Sequence, residues 1–189
     1  MLQSKLLKKV LSLLDERNID YMITGSLVSS MQGEPRATHD VDILVNITHS
    51  AIFSLPDVFT PPQYYVSFEA IEDAIRHNSM FNLLDTTEGD KVDFWILTDE
   101  PFDKSRFARK YEEEMLGRLI KISRPEDTIL MKLRWASLSG GSEKQFTDAL
   151  RVYEVQFGIL DLAYMEYWAG LLEINELWEN LKKYAQPVM

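Results

Sequence analysis

Apolar residues at Leu6, Leu7, Val10, Leu11, Leu13 and Leu14 recur on a helical period, which predicts an amphipathic helix over residues 3–17. The pattern then changes. Tyr21-Met22-Ile23-Thr24 is a short run of strand formers that stops at Gly25, and residues 26–32 suit a short helix opening on Ser26. Asp40 to Val45 reads as a strand, and residues 67–77 put Phe68, Ile71 and Ile75 on one helical stripe. Strands follow over 80–85 and 91–97, joined by Thr86-Thr87-Glu88-Gly89-Asp90, a link of hairpin composition. A helix near 103–114 and a strand over 118–122 complete this part. Beyond Ser123 the period is helical throughout, over 125–138, 143–157, 161–171 and 173–184. Ser139-Gly140-Gly141-Ser142, Gly158 and Gly170 separate those segments, and Pro125 sits where a first helical turn accepts proline. Leu55 to Pro62 holds three prolines and reads as a loop.

Strands mixed with helices, then helices alone, predict an α+β fold: a mixed sheet flanked by helices, with a helical C-terminal third. The expected domains are a core over 1–122 and a helical region over 123–189 packed on it. With 189 residues the chain is long enough to bury a substantial core. It contains no cysteine, which excludes disulfides and thiolate metal sites. Thirty acidic residues against twenty basic ones give a net charge of -10, which argues against a broad, sequence-blind grip on nucleic acid. The N-terminus alternates lysine with leucine, unlike a signal peptide, and no apolar run is long enough to span a bilayer. A cytoplasmic protein without membrane partners is the expectation.

Candidate chemistry lies between Gly25 and Val45. On a strand, Asp40 and Asp42 project to one side with Val41 pointing to the other. Two carboxylates held that close repel unless something positive sits between them, and a hard divalent cation with oxygen ligands is the obvious partner. Mg2+ suits such a site because it keeps few protein ligands and takes the rest from water and phosphate; Mn2+ is the alternative. Asp93 lies between Val92 and Phe94 in another apolar strand. If that strand neighbours 40–45, Asp93 completes a two-ion site. A strand that ends in Gly25 and opens a helix at Ser26 presents backbone N–H groups to an anion. Arg36 and Thr38 stand just before the aspartates, placed to contact the same phosphates or a base. A phosphate cradle followed by metal carboxylates is the layout of a nucleotide-polyphosphate site.

These residues resemble the DNA polymerase beta-like nucleotidyltransferase superfamily, whose signature is hydrophobic-Gly-Ser, a spacer, Asp-hydrophobic-Asp-hydrophobic and a later carboxylate. Here it reads Ile23-Thr24-Gly25-Ser26, thirteen residues, Asp40-Val41-Asp42-Ile43, and Asp93. Within the superfamily the chain looks most like small bacterial minimal and abortive-infection-type nucleotidyltransferases. It shares with them Arg36-x-Thr38-x-Asp40-x-Asp42 and Pro125-Glu126-Asp127-x-x-x-x-Lys132-Leu133, with Gln145, Asp148 and Arg151 on a later helix. The resemblance implies transfer of a nucleoside monophosphate from a nucleoside triphosphate to an acceptor hydroxyl, with release of pyrophosphate. It gives Asp40, Asp42 and Asp93 the catalytic and metal-binding roles, with two Mg2+ ions. Gly25, Ser26, Arg36, Thr38 and Lys132 bind the nucleotide. An RNA end or a protein side chain is the first acceptor it implies, ahead of a small molecule such as an antibiotic, and an antitoxin is an implied partner.

Blander readings stand beside these. Asp-x-Asp is often a solvated strand edge, Arg36 has Glu34 or a helix end to pair with, and Lys132 has the common fate of snorkelling to solvent. His39 points away from the metal face of a regular strand and reads as structural. Trp135, Tyr153, Phe157, Tyr164, Tyr167, Trp168 and Trp178 sit at core-like helical spacing. Glu112-Glu113-Glu114 reads as an exposed helix face, and Lys104, Arg106, Arg109 and Lys110 as a solvated helix before a basic rim. The rival from another class is a non-catalytic interaction or antitoxin-like protein that keeps the fold. A metal-dependent phosphohydrolase is a third reading, disfavoured because no histidine is placed to activate water.

Overall fold

A computed structural model describes residues 4–38, 40–47 and 55–187; His39 lies outside the described residues. They divide into two compact units, Met1–Thr24 with Thr38–Ile122, and Gly25–Ala37 with Ser123–Met189. The structure is mixed α/β, as the patterning predicts. No helix among the described residues is long and apolar enough to cross a membrane.

The first unit holds one sheet of seven strands: β1 (Asp20–Thr24), β2 (Asp40–Asn46), β3 (Tyr64–Tyr65), β4 (Met80–Asp85), β5 (Lys91–Ile96), β6 (Tyr111–Met115) and β7 (Arg118–Ile122). Their spatial order is β3-β4-β5-β2-β1-β7-β6. β2 runs parallel to β5 and β1 parallel to β7, while the remaining neighbours are antiparallel. Helices α1 (Ser4–Glu16), α3 (Leu55–Val58), α4 (Phe68–His77) and α5 (Pro101–Ala108) accompany it.

Alternation along each strand gives the sheet two unlike faces. One face is apolar across the five inner strands: Ile23, Val41, Ile43, Val45, Val92, Phe94, Phe81, Leu83, Ile120 and Ile122 are all buried. Phe81 and Phe94 stack there with ring centroids 4.8 Å apart. The other face is divided. Met22, Leu44 and Phe107 cluster at one end with Trp95 and Leu97 against them, and the polar ends of β2 and β5 lie at the other.

Two expectations need correction in this unit. The helix near 103–114 ends at Ala108, and Glu112, Glu113 and Glu114 belong to edge strand β6, not to a helix face. Leu116 and Gly117 both take positive φ (59° and 75°), the geometry of a tight hairpin turn, and they bring Glu112 opposite Lys121. The cationic residues of this stretch are also not one solvated row: Lys104 is exposed, as expected, and pairs with Asp99, but the others differ. Arg106 is buried on Asp103 at 2.8 Å, and Lys110, just past the helix, pairs with Asp20 at 2.9 Å. Within the proline-rich segment, Leu55–Val58 forms a helical turn before the Pro61-Pro62 cis bond.

The second unit is helical: α2 (Gly25–Gln32), α6 (Pro125–Leu138), α7 (Glu143–Gln156), α8 (Leu162–Leu171) and α9 (Asn175–Tyr184), with a 3-10 turn over Phe157–Ile159. Gly33 closes α2 against α7 so tightly that an added Cβ would stand 2.9 Å from the Val152 backbone nitrogen. Gln32 Nε2 donates to the Ser123 carbonyl at 2.7 Å, and Gln156 Nε2 donates to the Gln32 carbonyl at 2.8 Å. Of the aromatic group, Trp178, Tyr153 and Trp168 are core residues; Trp135, Phe157 and Tyr167 are exposed.

Truncating Phe94→Ala removes a fully buried ring and its partner's stacking contact; it is expected to lower the unfolding free energy by about 3–5 kcal/mol in urea titrations.

Candidate active site

Parallel pairing of β2 with β5 places Asp42 opposite Asp93 and Asp40 opposite Lys91. Paired residues of adjacent strands share a face, so the three carboxylates and the Lys91 ammonium project together from the same side of the sheet. Asp40 is exposed, Asp42 half-buried and Asp93 buried. Lys91 Nζ lies 2.9 Å from Asp93 Oδ2 and 3.7 Å from Asp40 Oδ1. The opposite oxygen, Asp93 Oδ1, accepts from the amide of Asn82, its partner on β4. Trp95, two residues beyond Asp93 on the same face, donates its indole N–H to Asp42 Oδ1 at 3.1 Å. The hydrogen bond to Asp93, working against burial and helped by the charges of Asp93, Asp40 and Asp42, holds the Lys91 ammonium above the ordinary lysine range. Thr38 Oγ1 donates to the Asp40 carbonyl at 3.1 Å, which braces the entry to β2.

In the second unit Gly25 takes φ 69°, a left-handed conformation that glycine adopts without a Cβ penalty. Ser26, next along α2, accepts at its hydroxyl oxygen from Arg36 Nη2 (3.1 Å) and Lys132 Nζ (3.3 Å). Both cations converge on Asp148 of α7: Arg36 through Nε at 3.2 Å and Nη2 at 2.8 Å, and Lys132 through Nζ at 2.8 Å. Lys132 is only 4% exposed, so it does not snorkel. Arg36 does not take Glu34, which pairs instead with Arg151 at 3.2 Å. Ser30 holds the segment in place, donating to the Arg36 carbonyl and accepting from its N–H. Burial raises the Asp148 pKa, but the hydrogen bonds and charges of Arg36 and Lys132 outweigh it and hold the carboxyl below the usual carboxylate range.

The overall fold is matched among solved structures. ANT(2")-Ia in complex with adenylyl-2"-tobramycin aligns over 97% of this chain and 98% of its own, at 14% identity and a TM-score of 0.53. The lincosamide antibiotic adenylyltransferase LnuA, lincomycin-bound, aligns over 77% of this chain and 93% of its own, at 18% identity and a TM-score of 0.51. An antigenic nucleotidyltransferase-like protein from Paracoccidioides brasiliensis covers 98% and 94%, at 17% identity and a TM-score of 0.50. The chain has the nucleotidyltransferase fold. No family model and no curated protein matches it.

The nucleotidyltransferase fold implies divalent ions, and the residues present fit them unevenly. Asp40 and Asp42 offer hard oxygen donors on one face, the chemistry Mg2+ takes when phosphate and water complete its shell. Asp93 differs, because one oxygen accepts from Asn82 and the other is paired with Lys91. Among the described residues no three acidic or histidine side chains gather so as to hold an ion. The aspartate pair on β2 fits one ion, whereas an ion at Asp93 would compete with the hydrogen bond from Asn82 and the ion pair with Lys91. Sequence reasoning passed over Lys91, Asn82 and Trp95. Lys91 and Trp95 were within its reach, since residues two before and two after Asp93 on a strand share its face.

Replacing Asp148→Asn leaves two converging cations without their counter-charge, one of them buried; an unfolding free energy lower by about 3 kcal/mol is expected from denaturant titration at neutral pH. Because the folded carboxyl titrates below its unfolded value, its contribution is whole above about pH 4 and is lost as pH falls through the lowered folded value. The gap between wild type and Asp148→Asn is thus expected to be level from neutrality to about pH 5 and to close in more acid solution, read as denaturation midpoints across pH.

Proposed function

We propose that the protein is a nucleotidyltransferase that moves a nucleoside monophosphate from a nucleoside triphosphate to an acceptor hydroxyl. The observation that carries this reading is the register of β2 against β5, which sets Asp40, Asp42 and Asp93 on one face of a nucleotidyltransferase-type sheet. The acceptor oxygen forms a bond to the α-phosphorus while the bond from that phosphorus to the bridging oxygen breaks, and the electron pair departs with pyrophosphate. Asp93 takes the proton of the attacking hydroxyl. Asn82 and Lys91 hold its carboxylate in one orientation, so the acceptor meets a fixed base rather than a rotating one. Asp40 and Asp42 would hold a divalent ion, whose chemistry there would be charge neutralisation for the triphosphate. Trp95 restrains Asp42 for that role.

For the second unit we propose phosphate binding. Two cations share one carboxylate, so Arg36 and Lys132 retain a net positive charge around the Ser26 hydroxyl. Ser26 accepts from both cations and keeps its own proton to donate. Gly25 is the other residue of this unit in the nucleotide-contacting set that the resemblance implies; Thr38, also in that set, belongs to the first unit.

The acceptor we infer is a small molecule bearing a hydroxyl group. Two solved structures of this fold, each with a TM-score above 0.5, carry adenylyl-2"-tobramycin and lincomycin. A net charge of -10 weighs against a polyanionic RNA acceptor, which needs a basic face. This moves the first choice away from an RNA end or a protein side chain, and no observation supports an antitoxin partner.

The test is transfer of α-labelled nucleotide to a panel of small hydroxylated acceptors, bulk RNA and protein, with Asp42→Asn as the control. Wild type is expected to label a small acceptor with release of pyrophosphate. Asp42→Asn is expected to lose about a hundred-fold or more in rate while unfolding at the wild-type midpoint. Unchanged labelling by a folded Asp42→Asn chain overturns the assignment.

A further inference from the structure

The row formed by Asp40, Asp42, Asp93 and Lys91 is not a plain acidic site. On β5 the residues of one face are Lys91, Asp93 and Trp95; on β2 they are Asp40, Asp42 and Leu44, each directly paired with its counterpart. The lysine is therefore built into the carboxylate row by register, not by a long side chain reaching in from elsewhere. Its Nζ bridges Asp93 Oδ2 (2.9 Å) and Asp40 Oδ1 (3.7 Å), one carboxylate from each strand. The Lys91 ammonium thus draws on one carboxylate from each strand.

We infer, on the basis of the nucleotidyltransferase reading above, that Lys91 is a permanent substitute for the second divalent ion, so that the site takes one such ion per chain. Two arguments support it. The first is charge: three carboxylates and one ammonium leave two negative charges, which a single divalent ion cancels. A second dication would lie beside the ammonium and be repelled by it. The second is ligand supply. Asn82 donates to the other oxygen of Asp93, so an ion drawing on that carboxylate would compete with a hydrogen bond and an ion pair already made, while a lone pair remains to take the acceptor's proton. An ammonium is a compact charge with three donors, which suits it to bridging two carboxylates that a metal would otherwise join. In this arrangement the acceptor hydroxyl is deprotonated by Asp93 alone, and Lys91 is a positioning residue that keeps the base oriented.

The experiment is equilibrium dialysis of the full chain against Mn2+ and an equimolar mixture of non-hydrolysable ribonucleoside triphosphate analogues, counting ion and nucleotide retained on the protein side. Wild type is expected to retain one Mn2+ per chain with one nucleotide. Lys91→Met and Lys91→Gln, each checked for folding by circular dichroism, are expected to retain two. Lys91→Arg, which keeps the charge, is expected to stay at one. Two ions in wild type, or an unchanged count in folded Lys91→Met and Lys91→Gln, overturns the inference and leaves the nucleotidyltransferase reading standing. Failure of wild type to retain any nucleotide analogue overturns that reading itself.

Discussion

The parallel hydrogen-bond ladder between β2 and β5 is the constraint on which the candidate chemistry depends. It holds Asp42 against Asp93 and Asp40 against Lys91 with no freedom to slip. A shift by one residue would turn these groups toward the apolar face and set Val41 and Val92 among polar partners. The apolar face forbids that slip. Phe94, Ile43, Val41 and Val92 are buried there, and exposing them would forfeit about 1.5–3 kcal/mol each. The hydrophobic face thus sets the register, and the register sets the carboxylate geometry on the opposite side.

The helical unit solves a related problem by other means. Lys132 is nearly inaccessible to solvent, a costly placement for an ammonium unless it is paired and hydrogen-bonded. Asp148 supplies the charge and Ser26 a further oxygen. The same carboxylate takes both Nε and Nη2 of Arg36, so α6, α7 and the loop after α2 are tied to one side chain. Truncation of Asp148 would loosen the very groups proposed to meet phosphate, which makes it a structural residue with a functional reach.

Much of the architecture is legible in the sequence. The strands over 80–85 and 118–122 and the helix over 125–138 have the bounds their patterning suggests, because alternation and helical period are local properties of the backbone. The segment from 109 to 114 is not the helix its pattern suggests. Three successive glutamates carry no strand signal of their own, and their state is decided by Lys121 and the other residues of β7 across the hairpin. Arg106 and Lys110 misled for the same reason, since their partners Asp103 and Asp20 decide whether they face solvent.

The sequence alone determined which side chains could share a face: Asp40 with Asp42, and Lys91 with Asp93 and Trp95, because a strand repeats every two residues. It also determined that a glycine stands at the one turn between β1 and α2 where a positive φ is required. Tertiary structure decided which faces meet. That β5 lies beside β2, that Lys91 reaches Asp40, and that Asp148 gathers Arg36 and Lys132 are contacts between residues remote in the chain. Such contacts depend on the burial of whole faces at once, a collective free energy that no local window contains.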